Sequence, residues 1–98
     1  MIVGACQLRL HLPQSQSLKD KRQIVKSVLA RLRGSFDLAA AEVGDQEVWQ
    51  LATLGLACAG NEATHVEEVL QHAVRYVEES RPDCAVTDVR IEVQRMLD

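Results

Sequence analysis

Two stretches of two-residue alternation bracket this chain. Residues 2 to 12, IVGACQLRLHL, put Ile2, Cys6, Leu8, Leu10 and Leu12 on one side and Gln7, Arg9 and His11 on the other. Residues 87 to 97 put Val89, Ile91 and Val93 on one side and Asp88, Arg90, Glu92 and Gln94 on the other. Side chains alternate across a strand, so each segment reads as a β-strand with one buried face. An isolated half-apolar strand is not stable, so whatever lies between must supply both sheet partners and a cover for the apolar face.

The intervening sequence does both. Pro13 and the run QSQS break the first strand, and Ser17 stands where a helix N-cap belongs, with Asp20 three residues on as a capping-box partner. From Leu18 to Arg33 the apolar residues Leu18, Val25, Val28, Leu29 and Leu32 recur at helical spacing, and Gly34 is placed to end the helix. FDLAAAEV, GDQE and VWQLATLGLACAG then read as strand, turn and longer strand, with Gly44-Asp45 or Asp45-Gln46 at the turn. Residues 64 to 79 return to helical spacing with Val66, Val69, Leu70, Ala73, Val74 and Val77 inward, Asn61 or Thr64 as cap, and Pro82 blocking continuation. The order is β-α-β-β-α-β. It predicts an α+β, ferredoxin-like sandwich over residues 1–98: a four-stranded antiparallel sheet with two helices on one face and the first and third strands central.

Composition narrows the class further. The chain has 98 residues, 47% of them hydrophobic, which is enough for one modest core and a single domain. No apolar run approaches the ~20 residues of a membrane span, and MIVGACQLRL lacks the basic lead and cleavage site of a signal peptide, so a cytoplasmic location with no membrane partner is expected. Cys6, Cys58 and Cys84 are odd in number and far apart, with no CxxC spacing. They are expected to be reduced and mostly buried, forming neither a disulfide framework nor a zinc site.

The segments P-x-x-x-S-L-K-D-K-R at Pro13 to Arg22, A-E-V at Ala41 to Val43 and V-W-Q-x-A at Val48 to Ala52 resemble the YlxP-like family of small bacterial proteins. One departure is Asp37, where that family's pattern carries Asn after Phe. The resemblance implies a ferredoxin-like fold and a bacterial cytoplasmic protein, and no established activity comes with it. It also implies a role near the ribosome, because the family's genes often lie beside those for translation initiation factor 2 and a ribosome-binding factor.

Charge separates along the chain: residues 1 to 35 sum to +6 and residues 36 to 98 to −9, within an overall charge of −3. At 100° per residue, Lys19, Arg22, Lys26 and Arg33 fall in one stripe flanking the apolar side of the first helix. Phosphates need charge and flexible donors rather than a fixed sequence. Lys19, Lys21, Arg22, Lys26 and Arg33 are therefore the expected nucleic-acid-facing set, with ribosomal RNA or a ribosomal subunit as partner. The competing reading pairs these cations with Glu62, Glu67, Glu68, Glu78 or Glu79 of the second helix, or leaves them in water.

A structural corner is expected where Ser17 begins the helix: Lys21 or Arg22 pairs with Glu42, and Trp49 packs beneath. The uncovered sheet face, with Val3, Ala5, Leu51, Gly55 and Ala57 bordered by Gln7, Arg9 and Arg90, is small and apolar enough to suit a homodimer. His65, Glu68 and His72 have metal-compatible spacing on a helix but only three donors on a solvent face, and helix-surface pairing explains them. An acylphosphatase-like site needs a glycine-rich cradle that LPQSQS lacks, and an RNA-recognition sheet needs aromatic platforms, whereas Phe36, Trp49 and Tyr76 are all the aromatics present. No nucleophile–base set stands out. A non-enzymatic module is expected, with no catalytic residues, cofactor, metal or small-molecule ligand.

Overall fold

In a computed structural model, described over residues 1–97, the elements follow the predicted order. They are β1 (Ile2–His11), α1 (Leu18–Ser35), β2 (Ala39–Gly44), β3 (Leu51–Gly60), α2 (Ala63–Ser80) and β4 (Ala85–Arg95). The sheet order is β2-β3-β1-β4, with every pairing antiparallel and β1 and β3 central. This is the ferredoxin-like α+β arrangement, with both helices packed on the sheet face that carries Cys6, Leu8, Leu10, Leu54 and Leu56.

α2 lies over β1, β3 and β4, and α1 lies along β2. The closest approach is at Gly4, where an added Cβ would collide with the Val66 and Leu70 side chains of α2, so a larger residue there would push helix and sheet apart. At the far ends of the helices, Phe36 and Tyr76 meet edge to face with ring centroids 5.6 Å apart.

Element ends differ from the sequence reading for local reasons. α1 runs through Gly34, which keeps a negative φ, and ends where the Phe36 N–H donates to the Leu32 carbonyl. Ser17 does cap α1, its hydroxyl accepting from the Asp20 N–H at 3.0 Å. Asp20 reaches back to the Gln16 N–H, one residue earlier than a regular capping box requires. Neither Asn61 nor Thr64 caps α2: the N-cap position is Glu62, and no side chain bonds the helix start there. The β2–β3 hairpin has a six-residue connection, 45 to 50, rather than a tight turn, with Asp45 at φ 58.

Candidate functional site

Three features stand out: an ion pair under the hairpin, a basic flank on α1, and a trough on the open sheet face.

The ion pair begins with a position in the helix. Lys21, Val25, Val28 and Leu32 lie at successive helical spacings and share one face, so the lysine sits inside the apolar stripe of α1 and is only 1% exposed. Its ammonium lies 3.0 Å from Glu42 Oε2, on the helix-facing side of β2, and also donates to the Asp45 carbonyl. Glu42 Oε2 is buried and accepts no well-directed hydrogen bond, so its charge is balanced by this contact. Around it, the Thr53 hydroxyl donates to Asp45 Oδ2 at 2.6 Å and the Val48 N–H to the Asp45 carbonyl at 3.1 Å. Arg9 Nε stands 3.9 Å from the same carboxylate oxygen. Gln50 then stitches the hairpin loop to the β1–α1 loop, its amide donating to the Ser15 carbonyl at 3.1 Å while its own carbonyl accepts from the Leu12 N–H at 2.9 Å.

Of the expected corner, the ion pair of Glu42 is present, and Lys21, not Arg22, is its partner. Two expectations are corrected. Lys21 does not belong to the solvent-facing basic set, because it is buried and committed to Glu42 and Asp45. Trp49 does not pack beneath the pair: the residue is 52% exposed, and Gln50 makes the bridging contacts to the β1–α1 loop instead.

Lys19, Arg22 and Lys26 are exposed along one flank of α1. Among the described residues, none of them forms an ion pair with an acidic residue of α2. Arg33 is exposed too, but its guanidinium donates to the Ala40 carbonyl of β2, which ties it to the sheet edge.

The open face is concave. Ala5, Ala39, Ala41, Gly55 and Ala57 floor a trough of about 580 Å3. Val43 walls it on the β2 side, at a register shift between Glu42 and Gly44, and leans so closely over Gly55 that a Cβ there would come within 2.8 Å of it. Gln7, Arg90 and Glu92 wall it on the β4 side.

The thiols are poor nucleophiles. Burial pushes Cys6 and Cys84 up to about 11, and burial together with the Asp37 charge raises Cys58. All three are free, as expected, although Cys58 is only half-buried. His65, Glu68 and His72 are exposed, and no cluster of three or more metal-binding side chains occurs among the described residues.

A family model described as "Protein of unknown function (DUF503)" matches residues 3–91. The chain belongs to that family. "Uncharacterized protein YlxP" of Bacillus subtilis (strain 168) is 28% identical over 91 residues, spanning 93% of this chain and 98% of the relative. This agrees with the YlxP-like resemblance of the sequence. No helix of the described residues is long and apolar enough to cross a membrane.

Lys21 carries the same charge as Lys19, Arg22 and Lys26 but not their helical phase. Its phase, in register with Val25, Val28 and Leu32, was the available signal. Asp45, Thr53 and Gln50 carried no such signal, since their roles depend on where the hairpin loop lands.

Proposed function

We propose that this chain is a non-catalytic binding module that docks on ribosomal RNA or a ribosomal subunit through the exposed basic flank of α1. Lys19, Arg22 and Lys26 are the phosphate-facing residues, with Arg33 at the end of the ridge. The observation that carries this reading is that the three side chains stand in solvent without carboxylate partners from α2, in a protein whose net charge is −3. Unpaired cations on a rigid helix are available to neutralise phosphates, and neutralisation releases counterions. The gene neighbourhood implied by the family resemblance supports the ribosome as the source of that RNA.

The test is co-sedimentation with ribosomal subunits across a salt series. Retention on one subunit should fall with salt, log K against log[salt] having a slope of about −2 to −3 for three phosphate contacts. The triple variant Lys19→Glu, Arg22→Glu, Lys26→Glu should lose retention while keeping its circular dichroism spectrum. Retention unchanged in that folded variant, or absent for the parent at low salt, would overturn the proposal.

A further inference from the structure

The open sheet face is matched to itself. In the sheet register, Ala5 pairs with Ala57 and Glu92, Gln7 pairs with Gly55 and Arg90, and Ala39 and Ala41 pair with Ala57 and Gly55. These residues form two rows across the sheet. One row is Ala39, Ala57, Ala5, Glu92; the next is Ala41, Gly55, Gln7, Arg90. Both line the trough.

A two-fold axis lying between these rows, across the strands, brings each row of one copy onto the other row of a second copy. Gln7, the long side chain of β1, then meets the short Ala5, and Gly55 meets Ala57. Arg90 meets Glu92 twice, once on each side of the axis, where the two β4 strands stack. A shift of one row along the strands would set Arg90 against Arg90 or Glu92 against Glu92, so the charges select one register. Each Val43 falls beyond Ala39 of the other copy and closes one end of the shared cavity.

We propose that the open sheet face is the interface of a homodimer, two copies stacked sheet to sheet about a two-fold axis running between the Ala5 and Gln7 rows. Isologous interfaces need this kind of self-complementarity. Strands about 4.8 Å apart, three of ten or eleven residues and β2 of six, rising about 3.3 Å per residue, project to roughly 600 Å2 per copy. The total of roughly 1,200 Å2 lies at the lower edge of stable interfaces. The alanine and glycine floor lets the sheets approach as closely as the Gln7 and Arg90 side chains allow.

Sedimentation velocity over a concentration series into the tens of micromolar tests this with four proteins: the parent, Arg90→Glu, Glu92→Arg and the double variant. Both positions are exposed, so all four should fold, which circular dichroism checks. The parent should reach twice its 10.9 kDa mass. Each single variant sets like charges together and should weaken the dimer at least about tenfold, while the double variant restores it. A parent that stays monomeric throughout overturns the proposal and leaves the trough to another occupant. A dimer indifferent to Arg90→Glu, or a double variant as weak as the single ones, overturns it as well.

Discussion

α1 and α2 are both 18 residues long and lie on the same side of one sheet, yet different chemistry holds them there. The buried side of α2 is wholly aliphatic, with Val66, Leu70, Ala73, Val74 and Val77 pressed onto strands that Gly4 keeps low. α1 lies along the short edge strand β2, where there is less sheet to cover. It compensates with polar ties: the Ser17 cap, Lys21 to Glu42 and Asp45, and Arg33 to the Ala40 carbonyl. A helix over a sheet centre can be positioned by apolar burial, whereas one over an edge gains its register from directional contacts.

The Lys21 tie should break that comparison most sharply. Lys21→Ala leaves Glu42 half-buried without its cation and should cost about 3–5 kcal/mol in urea denaturation. The double variant Lys21→Met, Glu42→Leu removes both charges at similar volume and should recover most of that loss. Full loss in the double variant would mean that the corner depends on the Asp45 carbonyl contact, not on the ion pair.

Capping differs between the helices in the same sense. Ser17→Ala should destabilise by about 1 kcal/mol, while Glu62→Ser, which gives α2 the side-chain cap it lacks, should stabilise by about 0.5 kcal/mol. Thermal midpoints moving in opposite directions would check both.

The smallest effect concerns the bond that joins the two helices. Arg81, just past α2, holds Asp83 through two hydrogen bonds of 2.9 and 2.7 Å and donates to Ser27 of α1 at 3.0 Å. The Arg81 hydrogen bonds hold the Asp83 carboxyl below its ordinary value of 3.8. A lowered carboxyl contributes stability that is present above that ordinary value and is lost as pH falls through the folded value. Asp83→Asn should remove that part of the acid limb in a pH series of denaturation midpoints, an effect kept small by the partial exposure of the pair.

Much of this was legible in the sequence because period and phase are local. The strands, both helices and their order follow from alternation and from helical spacing, and the sheet order follows from handedness rules. Helical spacing puts Val69 and Leu18 inward, yet both are only half-buried: Val69 lies at the border of its stripe, and Leu18 is the first residue of α1. What escaped was set by loop geometry. Trp49 looked like a core residue by type, but its place depended on six connecting residues whose path no periodicity fixes. The pairing of Lys21 rather than Arg22 was readable from phase, and its second acceptor, the Asp45 carbonyl, was not.

The central position of β1 has a consequence for how the protein is made. β1 pairs on one side with β3 and on the other with β4, its Ile2 lying opposite Gly60 and Arg95. The β1 edge that faces β4 therefore stays bare until residues 85–95 have been made, well after β3 can cover its other edge. Contacts of such long sequence separation close slowly. α1 and the β2–β3 hairpin can assemble early around the Lys21 tie, but the sheet is completed only when β4 arrives. A β1 paired on one side only is an open strand edge, so the growing chain is most exposed to aggregation in the interval between the synthesis of β3 and that of β4.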